Sequence, residues 1–421
     1  MKYGAVVYTN TGNMGDDIQA YAASRFYPHI DYYIEREKID SFFSNDGEQV
    51  AAIMAGWYTH SLLNWPPSPF IKPLMVSMHF TPYMDCKFGD KNINILSYRA
   101  SLDWFDKSGD AGVGCRDEHS VIMLEKLGIK AWWSGCITLT LKKFPDVTEH
   151  NKIVCIDLTD EQTDAIKRHT SKEIVKMTHV YTDLRCVNDR MKDVEERLKF
   201  YQGSSLVVTT RLHAALPAIA LGVPVLYVIN KNTDESRFGS YLKYLNCIDE
   251  NDLLRDNIPY DLDCIETERT EPLRKMGERL SDYCTEFICS CEKTKNIPKL
   301  DLNLFIDSVS RMEELKSIIY METRNTYIKE WSQKTEEPSY LFKCAMNELE
   351  KGELNRAMID FEKAYKLSGG KTKEEQMKIL GMYIRCLVQF GDMDSARMVL
   401  ESGKEAYFDT NEYRKLCIEL G

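Results

Sequence analysis

A chain of 421 residues is too long for one ordinary hydrophobic core, and the expectation is two or three domains. Its 54 basic and 65 acidic residues leave a formal charge of −11 with no basic block, so nucleic acid and acidic membrane surfaces are poor partners. Thirteen scattered cysteines read as reduced thiols, Cys284, Cys289 and Cys291 lack a second pair at zinc spacing, and no apolar run is long enough to span a bilayer.

The opening M-K-Y-G-A-V-V-Y turns polar too soon for a signal peptide, so the expected location is the cytoplasm. Residues 3–8 read as a strand that runs through T-N-T-G-N-M-G-D-D into a helix continuing to Ala23. Gly12 and Gly15 allow a tight turn, but their spacing is not the dinucleotide fingerprint and no P-loop lysine follows. Asp16 or Asp17 either caps that helix or meets sugar hydroxyls, which a carboxylate can orient or deprotonate. Residues 51–60 start as a strand and reach Trp57 and Tyr58; 64–72, rich in proline, is read as loop; 75–79 is a strand ending on His79, and 93–97 another. Trp57, Tyr58 and Trp65 either stack on a sugar ring or close the core. Gly15, Asp17, Trp57 and His79 are the candidate acceptor-side residues.

Next comes V-G-C-R-D-E-H-S-V-I-M-L-E-K-L-G-I-K-A-W-W. It reads as a strand ending at Cys115, a helix capped by Asp117 and stopped by Gly128, and a strand over 130–133. Arg116 falls at a strand-to-helix junction, where it either pairs with Asp117 or faces a ligand. The alternation restarts at Lys152: strand 153–158, helix 160–170, strand 176–181, helix 187–201. Residues 204–229 then read as a βαβ unit, S-S-L-V-V-T-T-R-L-H-A-A-L-P-A-I-A-L-G-V-P-V-L-Y-V-I. Arg211 and His213 sit where its first strand hands over to its helix, an edge that favours anions. Pro217 removes the N–H that would bond the His213 carbonyl. On the polar loop that follows, Lys231 and Arg237 are further cation candidates.

Residues 266–328 read as long amphipathic helices broken near Pro298. In the tail, Gly352, Ala357 and Phe361 recur as Gly391, Ala396 and Leu400, an offset of 39 residues that resembles tetratricopeptide helix pairs. The expected fold class is α/β: two facing doubly wound parallel-sheet domains and a carboxyl-terminal α-helical repeat region. The expected boundaries are 1–148 (acceptor side), 149–265 (donor side), 266–334 (connecting helices) and 335–421 (tail), the tail available to a protein partner.

N-M-G-D-D-I-Q-A, G-C-R-D-E-H-S-V-I-M-L-E-K-L-G-I, S-G-C-I-T-L-T and T-T-R-L-H-A-A-L-P-A-I-A-L-G-V-P-V, in that order, resemble the polysaccharide pyruvyl transferase family over about residues 1–245. The resemblance implies a fold like the GT-B glycosyltransferases. It also implies transfer of a pyruvyl group from phosphoenolpyruvate to a sugar or glycan acceptor as a cyclic ketal, with no cofactor or metal. By matching position it implies donor binding by Arg116, Arg211 and His213, proton transfer by His213, and an amino-terminal signature at Gly15 and Asp16. Asp16 is the candidate second proton-transfer group; Lys231 and Arg237 lie where the chain departs from the family pattern. The alternatives are a GT-B glycosyltransferase with a nucleotide-sugar donor and a scaffold acting through the tail.

Overall fold

A computed structural model describes residues 1–58, 65–80, 86–88, 91–93, 99–181, 185–231, 233–310 and 337–420. The chain divides into two compact units, Met1–Cys86 with Asn94–Ser310, and Lys87–Ile93 with Arg311–Gly421. It is an α/β protein with three parallel sheets, many helices and a helical carboxyl-terminal region.

In the first unit, β1 (Lys2–Val7), β2 (Tyr32–Glu35), β3 (Val50–Ile53) and β5 (Ile71–Leu74) form a parallel sheet in the order β2-β1-β3-β5. After short breaks, β3 continues as β4 (Gly56–Tyr58) and β5 as β6 (Met78–Phe80). These extend into a second sheet with β9 (Val113–Cys115) and β10 (Ala131–Trp133), in the order β10-β9-β6-β4. The break before β6 passes through Ser77, whose φ of 58° interrupts the extended chain. Of the strand expected over 75–79 only Met78 and His79 are in a strand, β6, while 75–77 form the break, and Ile71 and Lys72, expected in loop, belong to β5. Pro73 is tolerated there because β5 is an edge of the first sheet. A short pair, β7 (Cys86–Phe88) and β8 (Lys91–Ile93), follows β6 in the chain. The rest of the strand expected over 93–97, like His60 and residues 311–336, lies outside the described residues.

Helix α1 (Met14–Ser24) links β1 to β2 and is capped by Asn13, whose side chain accepts from the Gly15 N–H. Asp16 and Asp17 lie in its first turn, and neither is the cap. Helix α2 (Arg99–Phe105) precedes β9, and α3 (Glu118–Lys126) joins β9 to β10 with Asp117 as its cap. The third sheet runs β12-β11-β13-β14-β15, from β11 (Ile153–Ile156), β12 (Ile174–Met177), β13 (Leu206–Thr209), β14 (Val225–Ile229) and β15 (Asn246–Asp249). Its connecting helices are α4 (Asp160–Arg168), α5 (Val187–Gln202), α6 (Leu212–Ala220) and α7 (Glu235–Leu242), followed by α8 (Glu250–Leu254) and α9 (Glu271–Glu292).

Strand β12 begins two residues before the expected start and ends at Met177, leaving His179 beyond it. One apolar core takes side chains from β1, β3, α1, α6 and α9 together with the inner face of the third sheet; among its members are Ile18, Ala214, Leu216 and Leu280. In the first and third sheets the chain goes outward from β1 or β11 and then crosses back. Crevices therefore open at the carboxyl ends of β1/β3 and of β11/β13.

In the second unit, α10 (Pro338–Glu350), α11 (Leu354–Leu367), α12 (Lys373–Phe390), α13 (Met393–Ser402), α14 (Lys404–Tyr407) and α15 (Asn411–Leu420) share a core that includes Ala357, Phe361, Ala396 and Leu400. Gly352 and Gly391 both take left-handed φ, 78° and 93°, after α10 and α12.

Candidate functional site

A cavity of about 610 Å³ opens at the carboxyl ends of the strands in the first unit. Asn13, after β1, and Trp57, on β4, line one side. Asp157, Thr159, Gln162, His179, Arg211, His213, Asn230, Lys231, Arg237 and Glu250 line the other. Strand-to-helix junctions thus supply most of its polar surface.

Arg116, the last residue before the α3 cap, is 1% exposed although it carries a full charge. Its Nη1 donates to Gln19 Oε1 at 3.1 Å, and its carbonyl accepts from Trp133 Nε1 and the Tyr241 hydroxyl. The neighbouring Asp117 is 4.0 Å from Arg116 Nε but is taken up by His79, whose Nδ1 lies 2.6 Å from Asp117 Oδ2. Among the described residues, Nε and Nη2 of Arg116 have no hydrogen-bond partner, nor have Arg237 Nε, His213 Nε2 and His179 Nδ1. Buried donors left open in one neighbourhood are costly unless something fills them.

The electrostatics tie this cluster together. Burial, then the Arg116 charge, pushes His79 down to about 4, Arg237 down to about 10 and His213 well below the usual imidazole range. Burial also lowers His179 to about 4, while its Nε2 lies 2.7 Å from the Tyr201 hydroxyl. The unliganded site therefore holds crowded arginines and neutral imidazoles, an arrangement that an anion would relieve.

The remaining candidates fall around this centre. Gly15 lies against His213: a Cβ there would sit 2.8 Å from Nδ1, so only glycine lets α1 approach so closely. Trp57 stacks under Arg237, whose guanidinium carbon is 4.6 Å from the ring centroid. Arg211 and Lys231 occupy the more open side of the cavity; the Arg211 side chain is 41% exposed and its Nε donates to Asp157 Oδ2 at 2.8 Å. Asp16 accepts from Thr11 Oγ1 at 2.7 Å and pairs with Arg36 at 3.6 Å. Asp17 turns inward to Arg190 of α5, 3.4 Å away, and burial raises its carboxyl to about 6. It does not line the cavity.

Sequence reasoning missed Asp157, His179, Gln162, Glu250 and Gln19. Asp157 has a φ of 54° and accepts from the Thr178 hydroxyl at 2.6 Å as well as from Arg211. It is the first polar residue after the buried run I-V-C-I, the same signal that singles out Arg116 after V-G-C.

A family model described as polysaccharide pyruvyl transferase matches residues 13–232, about half of the chain. No curated protein matches the sequence. A solved structure, described as a functional uncharacterized protein from Klebsiella pneumoniae, is 17% identical with a TM-score of 0.35. The match covers 59% of this chain and 92% of that one.

Proposed function

The chain belongs to the polysaccharide pyruvyl transferase family and is a transferase, and from that premise we propose that it moves the pyruvyl group of phosphoenolpyruvate onto two hydroxyls of a sugar in a glycan or its precursor. The product is a cyclic ketal, and inorganic phosphate leaves. Of the two hydroxyl protons, one accounts for the third hydrogen of the new methyl group and the other for the proton on phosphate.

The observation that carries this reading is the set of buried, open guanidinium donors on Arg116 and Arg237 beside His213. Phosphoenolpyruvate places a phosphate and a carboxylate close together, and arginine's planar fork suits both. Arg211 and Lys231 add charge from the open side. His213 delivers a proton to the methylene carbon: burial holds its pKa down first and the Arg116 and Arg237 charges next, and a bound anion offsets those charges and raises it. Gly15 gives α1 its close approach to His213, Trp57 offers the acceptor an apolar wall, and Asp16 orients hydroxyls from the amino-terminal side.

The same reading includes a GT-B-like arrangement of the two α/β halves, a cytoplasmic location, no cofactor, and a tetratricopeptide-like tail that binds a protein. Equivalent left-handed glycines and buried alanines at an offset of 39 residues support the repeat character of the tail.

The test is calorimetric titration with phosphoenolpyruvate and, separately, with a panel of nucleotide sugars, coupled to phosphate release on adding pyranosides. Binding of phosphoenolpyruvate with acceptor-dependent phosphate release is the expected result. Binding of a nucleotide sugar in its place puts a glycosyltransferase ahead.

A further inference from the structure

Transfer to a hydroxyl needs a group that takes the hydroxyl proton, and the buried pair formed by His79 and Asp117 is built for that task. Asp117 is held from behind: its Oδ1 accepts from the Ser120 N–H at 2.8 Å as the cap of α3. Its Oδ2 lies 2.6 Å from His79 Nδ1. The Ser120 hydroxyl, 3.3 Å from the same nitrogen, makes the longer contact and also accepts from the Phe80 N–H at 3.1 Å. A carboxylate only accepts, so Nδ1 carries the proton and Nε2 presents its lone pair. The base is thus oriented by a third group, which is itself locked to a helix terminus.

His79 is 1% exposed and does not itself line the cavity; it stands directly behind Trp57, which does. The His79 ring meets the edge of Trp57, centroids 5.8 Å apart, and Trp57 lines the cavity under Arg237. The charged neighbours acting on His79 are Arg116, Asp117 and Arg237, and His79 in turn acts on His213. One histidine faces the donor cations and the other stands beside the aromatic wall.

Resting on the pyruvyl-transfer reading, we infer that His79, oriented by Asp117, is the general base that removes the proton of the attacking sugar hydroxyl. In the first addition the sugar oxygen forms its bond to C2 of phosphoenolpyruvate and its proton passes to His79 Nε2. The C2–C3 π pair becomes the new C3–H bond with a proton from His213. His79 is then a catalytic residue and Asp117 a positioning residue. Burial and Arg116 keep the free imidazole neutral down to about pH 4, so it carries no second proton near neutrality.

The experiment uses the full chain with phosphoenolpyruvate and methyl glycosides of glucose, galactose and mannose as probes. His79→Gln should lower kcat by about a hundred- to ten-thousand-fold while the Kd for phosphoenolpyruvate stays within about threefold. Asp117→Asn keeps an oxygen for the α3 cap but cannot stabilise the imidazolium. It should lower kcat by about tenfold or more and move the acid limb of the kcat–pH profile to lower pH.

A His79→Gln variant with kcat within about threefold of the parent overturns the inference. So does one that loses donor binding in proportion to its rate. If His79→Gln fails to fold, Asp117→Asn decides: a fixed acid limb overturns the inference and a shifted one supports it. A parent protein that neither binds phosphoenolpyruvate nor releases phosphate with any probe overturns the underlying reading, and the inference with it.

Discussion

Two strand-to-helix junctions carry an arginine at matching sequence positions, yet the structure uses them differently. At the end of β9, Arg116 precedes the helix cap, because Asp117 takes that place, and its side chain is fully buried. At the end of β13, Arg211 is itself the cap residue of α6, and its side chain stays nearly half exposed and tied to Asp157. A one-residue difference in where the helix begins separates an arginine committed to the interior from one that stands at an entrance. Residue type and local setting are therefore not enough to rank two cations by depth.

The largest test of this contrast falls on the residue after each junction. His213→Gln removes the proton donor of the second junction and should cut turnover by about a hundred- to ten-thousand-fold with donor affinity little changed, as read by phosphate release and calorimetry. The arginines come next. Arg116→Lys loses the fork at a buried site and should weaken phosphoenolpyruvate binding by about a hundredfold, whereas Arg211→Lys, partly solvated, should cost about tenfold or less. Equal losses would erase the distinction between the junctions.

A smaller effect sharpens the electrostatic side. Because burial and Arg116 hold His213 below its usual range, a bound dianion raises its pKa, and the liganded protein holds more proton than the free one. Affinity for phosphoenolpyruvate should therefore rise as pH falls through the liganded pKa. Calorimetry in two buffers of different ionisation enthalpy should report proton uptake that His213→Gln abolishes.

The free protein carries the opposite sign. The folded pKa values of His79 and His179, about 4, lie below the unfolded value of about 6.5. Their stabilising contribution is complete above about pH 6.5 and is lost as pH falls towards 4, so the melting temperature should drop with acid. The smallest expected change in stability is that of Arg237→Met, which removes one of two crowded cations. It should raise the melting temperature of the unliganded protein by about 2–4 °C while donor binding is lost.

Much of the α/β frame could be read from the chain because its strands are short apolar runs bounded by glycine and polar residues. Strand β13 and helix α5 fall where periodicity puts them to within a residue, and Gly128 and Gly222 take the left-handed φ that helix stops require. The reading slipped where long-range pairing overrides local chemistry. Pro73 sits in β5 because the edge of a sheet needs no donor from it, and Asn13 caps α1 in place of the more conspicuous aspartates three and four residues on.

The site was legible as a list of cations and histidines but not as a geometry. Nothing in N-M-G-D-D says that Asp17 turns to Arg190 while Asp16 turns to Thr11 and Arg36. Nothing in M-H-F says that His79 meets a carboxylate 38 residues later. Those pairings exist only once β6, β9 and α1 are side by side.

The breadth of the cavity has a consequence for the order of events. At about 610 Å³, walled by Trp57 and Asn13 on one side and by Arg211, His213 and Glu250 on the other, it far exceeds what a three-carbon phosphate ester occupies. Donor and acceptor can reside there together, so the rate law should be sequential: double-reciprocal plots at several fixed acceptor concentrations should intersect, not run parallel. Parallel lines would mean that the pyruvyl group is parked on the protein between two half-reactions, and a chamber of this size would then be serving one guest at a time.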